Sequence, residues 1–395
     1  EISKQLITGG QIDLRYEDQR MENRLFRPDP EYYSGLNLLL TQPLLDGFGR
    51  NSSLYRVRLS KKNREISSRV FEQTLLNVAY EVEAAYWDLV LAIRLVDIQK
   101  QNLDLAQSLL SRNTERFDVG MLPSYEILEN QSHVASRREN LLSVVNALED
   151  ANDRLATLMN LLDSPAGGFS FLPLDDVVCE AFEPSASDSL AVAFERRPDL
   201  KQASLAIERS DLRLRYVRNQ SLPSLNLITG LGLHGFDHAY SAAHDDLRDD
   251  NTYDWRIGVV FEVPFGSRES RYQHRKAVLL RQQAADQMRS LQQRVLTDIR
   301  EAVRQIQTDQ ERIPAAMLAR EFAQQRMQVE ESLFDQGMST THDLLEYQQT
   351  LALAQLDELR AQVDLRKAFS KLRFLEGRLL DEFGFEFVEP DIWEE

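Results

Sequence analysis

The sequence predicts a mainly α-helical fold with a small β part, in which one unit, a strand pair leading into a long antiparallel helical hairpin, is used twice. Three observations predict it. The segment F-D-V-G-M-L-P-S-Y-E-I-L-E-N-Q from Phe117 recurs as F-D-Q-G-M-S-T-T-H-D-L-L-E-Y-Q from Phe334, with its identities at a constant offset of 217. Residues 51–118 hold neither proline nor glycine, and 268–335 hold only Pro314. Four stretches alternate apolar residues with polar or small ones, the two-residue period of a strand. Self-similarity at a fixed offset points to one structure built from two halves rather than to unrelated domains.

In chain order, residues 10–17 set Ile12, Leu14 and Tyr16 on one face and Gln11, Asp13, Arg15 and Glu17 on the other, a strand between two different solvents. Residues 1–4 read as its approach. The segment 21–31, with Pro28 and Pro30, is expected to break it, and a second strand runs from Tyr32 to Leu44, ended by Pro43 and Gly47. The helix that follows would extend roughly 100 Å at about 1.5 Å per residue. Along it Val78, Val82, Ala85, Leu89, Ala92 and Val96 step by four and three, the seam of a coiled coil. Gly120 and Gly337 end the two outgoing helices, because glycine takes the left-handed conformation that a helix C-terminus favours. Ser124 and Thr341 follow four residues later, where a side-chain oxygen can cap the returning helix. The first returning helix, 124–160, carries Val134, Leu141, Leu148 and Leu155 at steps of seven, so the hairpin packs along itself.

Residues 161–186 interrupt the pattern with Pro165, Gly167, Gly168, Pro173 and Pro184 and read as a connector. Helical periodicity resumes over 187–219 with a break at Pro198. Leu225, Leu227, Leu231 and Leu233 then alternate with small and polar residues as a third strand, 236–251 form a polar, acidic loop, and 253–263 give a fourth strand ended by Pro264 and Gly266. The second hairpin spans 268–335 and 341–378, with Leu365, Leu372 and Leu379 at steps of seven and a kink at Pro314. The tail from Phe383 is aromatic, acidic and irregular. Gly49 pairs with Gly266 at the offset of 217, while Leu36, Leu38, Leu40 and Pro43 pair with Ile257, Val259, Phe261 and Pro264 at 221, a four-residue insertion at 45–48 making the difference. The counterpart of 187–219 would lie before residue 1, so about thirty further residues are expected there, with any signal peptide or lipid-modified cysteine.

Composition narrows the function. Charged residues make up 28% of the chain, and no run of about 18 apolar residues exists to form a transmembrane helix. A membrane role must come from a β-barrel or from surface contact. A net charge of -17 argues against nucleic acid as a partner and suits neutral or cationic cargo. The single Cys179 excludes an intramolecular disulfide and a multi-cysteine metal site and reads as a small packed hydrophobe. No Ser-His-Asp order, phosphate loop or zinc spacing occurs, so neither an enzyme nor a cofactor is predicted. His234, His238 and His244 with Asp237, Asp245 and Asp246 suit a solvated loop better than a metal site. Tyr32, Tyr33, Tyr253 and Trp255 can form an interfacial girdle or pack the barrel ends.

Four strands in two pairs cannot close a barrel within one chain, since closure needs about eight, and leaving them open exposes edges. A shared barrel follows, with eight strands from a dimer or twelve from a trimer and the long helices assembled beside one another. Its lipid-facing residues should include Ile12, Leu14, Leu36, Leu38, Ile257 and Val259, which lie on the more uniformly apolar faces.

Strand, long helix, F-x-x-G tip, returning helix, then R-P-D-L at 197–200 opening a second such unit, resembles the TolC-type outer-membrane efflux proteins over nearly the whole chain. The resemblance implies a homotrimer in the outer membrane of a Gram-negative bacterium, with a twelve-stranded barrel, a periplasmic α-helical barrel and a mixed equatorial belt. It also implies coupling to a periplasmic adaptor and an inner-membrane pump of the RND or ABC type, in tripartite efflux or type I secretion. The division would be 1–48 and 222–266 for the barrel strand pairs, 49–160 and 267–380 for the tunnel hairpins, 161–221 for connector and equator, and 381–395 for an equatorial tail. Phe117, Gly120, Phe334 and Gly337 would make the tips that meet the adaptor. A soluble periplasmic coiled-coil scaffold or adaptor is the competing reading, and it would need no lipid-facing apolar band.

Past each tip glycine lie two acids three residues apart, Glu126 and Glu129 in the first half and Asp343 and Glu346 in the second, each pair on one helical face. In a trimer they would form anionic rings at the pore entrance, which favour cations. Acids in a first helical turn also complement the helix dipole, so both readings stand. Asp343 and Glu346 match the acidic constriction of the family. Some members tie the closed tip with a Tyr and an Arg, where this chain has Phe334 and Ser339.

Overall fold

The computed structural model describes residues 1–23, 27–161, 170–175, 183–248, 253–263, 266 and 268–385, with the side chains of 23 and 27–30 left aside. Cys179, Pro165, Gly167, Gly168, Pro264 and the tail beyond Phe385 lie outside the described residues. In chain order the elements are β1 (Ile2–Gln5), β2 (Gln11–Asn23), β3 (Arg27–Pro43), α1 (Arg50–Ser53), α2 (Tyr55–Asp118), α3 (Ser124–Leu158), α4 (Ala186–Arg196), α5 (Pro198–Asn219), β4 (Ser224–Asp237), α6 (Tyr240–Asp245), β5 (Tyr253–Glu262), α7 (Arg268–Asp335), α8 (Thr341–Glu376) and α9 (Leu379–Glu382). They fall into two compact units, Glu1–Arg69 with Asp199–Ser290 and Val70–Pro198 with Leu291–Glu395.

The first unit holds one antiparallel sheet in the order β1-β2-β3-β4-β5. Its register decides which residues share a face, because directly opposed residues point the same way. Leu14 lies opposite Leu38, Leu38 opposite Leu231, and Leu231 opposite Trp255. Ile12 with Leu40, Leu36 with Leu233, Ile257 with Thr229 and Val259 with Leu227 complete the same face. All six residues expected to face lipid therefore stand together, and Leu38, Trp255, Ile257 and Val259 are exposed. The other face carries Gln11, Asp13, Arg15, Asn37, His234, Asp254 and Arg256.

Three features of the sheet depart from the sequence pattern. Residues expected to lead into a strand form β1, where Ile2 pairs with Leu14 and Gln5 with Gln11. The turn that returns it to β2 needs Gly9, whose φ is 94° and where an added Cβ would lie 2.2 Å from the Gly47 carbonyl oxygen. The break expected at 21–31 is narrower than that, since β2 continues to Asn23 and β3 begins at Arg27, with 24–26 outside the described residues. The β3–β4 ladder stops at Tyr32–Asp237, so 27–31 form an edge on that side and prolines there forfeit no ladder bond. The acidic loop after β4 contains α6, which lies on the apolar face with Tyr240 edge-on to Tyr32 at 5.9 Å and His244 edge-on to Tyr16 at 6.0 Å. Gly235 admits it, because a Cβ there would meet the Ala243 carbonyl oxygen at 1.9 Å. Tyr33 and His234 stack on the opposite face, 5.7 Å apart, so His234 and His244 do not converge and Tyr33 leaves the expected girdle.

In the second unit the helices pack through the predicted seams. Ala85, Leu89, Ala92 and Val96 are buried, and Leu155, Leu148 and Val82 pack on the first two. Val78 departs from the pattern, being 43% exposed. Leu365, Leu372 and Leu379 are buried, and α7 runs unbroken through Pro314. The R-P-D-L motif also finds its use here. The Arg197 guanidinium donates to the Leu375 carbonyl at 3.1 Å, while Pro198 starts α5, where its missing N–H is not needed. Gly377, with φ 75°, caps α8 so close that a Cβ would lie 3.3 Å from the Arg197 backbone.

Candidate functional site

The two tips lie in the second unit. Each outgoing helix ends in the same local geometry. Gly120 (φ 77°) donates to Phe117 and Met121 to Arg116, and Gly337 (φ 74°) donates to Phe334 and Met338 to Leu333. This is the paired bond set of a left-handed helix terminus. The returning helices differ from expectation and from each other. Their caps sit one residue before Ser124 and Thr341. Pro123 offers α3 no side-chain bond, whereas Thr340 and Asp343 form a reciprocal capping box on α8.

Thr341 is drawn inward instead and is 1% exposed. Its hydroxyl accepts from the buried Asn113 amide at 3.1 Å and donates to the Glu126 carboxylate at 2.8 Å. His342 Nδ1 lies 3.1 Å from the Glu129 carboxylate. Both acids of the first tip therefore bind the start of α8, and Asp343 joins them through its own cap. Glu346 stands exposed one turn further, with no side-chain partner among the described residues. On the outgoing helices Arg112 reaches Glu331 at 3.4 Å and Asp335 at 3.6 Å, and Arg116 covers the Phe334 ring at 4.7 Å. Exposed ion pairs of this kind contribute about 0–1 kcal/mol each.

Two residues that the repeat equates are treated oppositely. Phe334 is 3% exposed, within a cluster of Leu109, Met327, Leu344 and Leu345, while Phe117 is 40% exposed. Around the first tip Val119, Met121, Tyr125 and Leu128 are exposed as well. Asn113, Arg112 and His342 join the tips without being expected there from the sequence. Asn113 had a signal, because Ala106 and Asn113 continue the four-and-three spacing of the seam beyond Val96 and place an amide at a core position.

Hydrogen bonds from Thr340, side chain and then backbone, hold the Asp343 carboxyl below its ordinary value of 3.8. A carboxylate with a depressed folded pKa contributes stability that is present above the unfolded value and lost as pH falls through the folded one. Exchange protection of the amides at 340–344 should therefore fall as the pH is lowered past the ordinary carboxyl value of 3.8, and Asp343→Asn should flatten that dependence. Protection that is equally pH-dependent in the variant would remove the cap from this role.

A sheet with one apolar exposed face, joined in sequence to two long hairpins with like tips, defines the fold of an outer-membrane channel protein. The Campylobacter jejuni CmeC outer membrane channel shares it, with a TM-score of 0.75 and 19% identity, over 97% of this chain and 80% of that one. The chain belongs to the outer membrane efflux protein family, whose sequence model matches residues 11–161 and 190–378. It is 23% identical over 321 residues to the outer membrane protein TolC of Salmonella enteritidis, covering 80% of this chain and 63% of that protein. It is 25% identical over 338 residues to the pyoverdine export outer membrane protein OpmQ of Pseudomonas aeruginosa, covering 82% and 67%. The chain thus spans about two thirds of the length of these relatives. Membership places it in the outer membrane with a periplasmic extension, among proteins that are channels rather than enzymes.

Proposed function

We propose that the chain is one protomer of a homotrimeric outer-membrane duct that exports small molecules or proteins delivered by an inner-membrane pump through a periplasmic adaptor. The observation that carries this reading is the open sheet. It is apolar and exposed on one face and polar on the other, and the outer edge of β5 has no strand beside it among the described residues. Further copies of the chain would pair that edge and enclose the polar face as a lumen, with lipid against Leu38 and its neighbours. The strand pairs in 1–48 and 222–266 would form the barrel and the hairpins in 49–160 and 267–380 the tunnel. Sedimentation or native mass measurement in detergent should give about three times 45.5 kDa. A stable dimer would overturn the trimer.

The tips are the proposed gate and adaptor contact. The exposed apolar residues at 117–128 suit docking to the adaptor. Glu126, Glu129, Asp343 and Glu346 would set an anionic ring three times over around the axis. Asp343→Asn with Glu346→Gln should leave assembly intact, lower cation selectivity in single-channel recordings and weaken block by trivalent cations. Thr340→Val, which removes the cap and keeps the charge, should leave selectivity unchanged. If the double variant conducts as the parent does, these carboxylates only complement their helix.

A further inference from the structure

The helix ends next to the sheet carry a charge opposite to that of the chain as a whole. Residues 50–58, 213–219 and 268–276, where α1 and α2 follow β3, α5 precedes β4 and α7 follows β5, hold ten Lys or Arg and one Asp or Glu, in a chain of net charge -17. All three stretches belong to the first unit. They are neighbours, because Tyr55 of α2 stacks on Tyr216 of α5 with 4.1 Å between ring centroids, and Arg281 of α7 reaches Asp211 of α5 at 3.1 Å. None of the ten cations forms an ion pair among the described residues, and Arg56, Arg213, Arg218, Arg275 and Lys276 are exposed. Flanking acids are engaged already. Asp46 accepts from Gln220 at 2.7 Å, Asp211 holds Arg281, and Glu65 and Glu208 share Lys62. Phe48, Leu222 and Tyr272, in or beside these stretches, are exposed.

At about 1.5 Å per residue each stretch rises roughly 10–14 Å, within side-chain reach of a headgroup layer about 5–8 Å deep. Copies of the chain related by rotation about a barrel axis bring the same stretches to the same level, so assembly multiplies this charge and does not neutralise it. The counter-charge is left to another molecule. Exposed aromatic and apolar side chains beside Lys and Arg mark a boundary between membrane and water. We infer that this rim binds the phosphate headgroups of anionic phospholipids in the periplasmic leaflet of the outer membrane. The inference rests on the reading of the sheet as part of a membrane-spanning barrel, and it is independent of the tips.

The test uses the full chain assembled in phosphatidylcholine vesicles that contain a trace of spin-labelled phosphatidylglycerol or spin-labelled phosphatidylcholine. Lipid in contact with a membrane-spanning protein is motionally restricted, so the restricted fraction of each label gives its relative affinity. At low salt phosphatidylglycerol should be preferred about fivefold at the rim, the scale of one cation per headgroup, and therefore about threefold over the two leaflets together. In about 1 M salt, where charges act over about 3 Å, the preference should fall towards one. Arg56→Gln, Arg218→Gln, Arg275→Gln and Lys276→Gln together should lower it at low salt. Arg289→Gln, Arg294→Gln, Arg300→Gln and Arg304→Gln, the same loss of charge further along α7, should keep it. Equal restriction of the two labels at low salt, or a preference that salt leaves unchanged, would overturn the inference in the parent protein without any variant. A membrane-inserted rim variant that kept the full preference would overturn it too. No restricted component for either label would overturn the membrane-spanning reading, and the inference with it.

Discussion

Phe334→Ala should destabilise the tip by about 3–5 kcal/mol, the scale of deleting a buried aromatic ring. Its ring fills the cluster of Leu109, Met327, Leu344 and Leu345, so its removal leaves a cavity that the ends of α2 and α7 and the start of α8 must share. The Arg116 guanidinium also loses the ring beneath it, a further contribution of about 0.5–1 kcal/mol. Phe117→Ala, at the equivalent position of the other half, removes an exposed ring and should cost no more than about 0.5 kcal/mol. Hydrogen exchange read at 327–345 separates the two, with protection lost in the first variant and kept in the second. Equal losses would show that the two tips are packed alike.

Leu38→Arg is the second large effect. Leu38 is 42% exposed and lies at the centre of the apolar face, between Leu14 and Leu231. An arginine on the lipid face near the bilayer midplane costs about 2–4 kcal/mol. Refolding into lipid vesicles, followed by heat-modifiable gel mobility, should show reduced assembly. Asn37→Arg, on the opposite face, should assemble as the parent does. The reverse outcome would mean that the polar face meets lipid.

The parts of the fold that sequence revealed are those whose causes are local or repeated. Alternation gave the four long strands, and pairing Leu36, Leu38 and Leu40 with Ile257, Val259 and Phe261 placed them on one face before the register was known. Glycine chemistry located both helix ends. What stayed hidden depends on partners far along the chain. β1 is four residues long and exists because β2 pairs with it. α6 is six residues long and rests where Gly235 leaves room. Thr341 reads as a cap by spacing alone, yet its hydroxyl is claimed by Asn113, 228 residues earlier, and the cap moves to Thr340. The burial of one tip phenylalanine and the exposure of the other was equally invisible, since the repeat makes them identical.

The open edge of β5 also bears on how the protein comes into being. All ten residues of that strand are exposed and its outer backbone groups face no neighbour within the described residues. The helices form on backbone hydrogen bonds close in sequence and can appear early, whereas in the proposed oligomer the sheet gains its missing neighbour only from another copy of the chain. A newly made protomer therefore passes through a stage in which an adhesive strand and an apolar face are bare, the hazard that slow-pairing β-structure carries. Its biogenesis is a race between meeting the right edge and meeting a wrong one, and concentration and escort during transit decide the yield as much as the stability of the finished barrel.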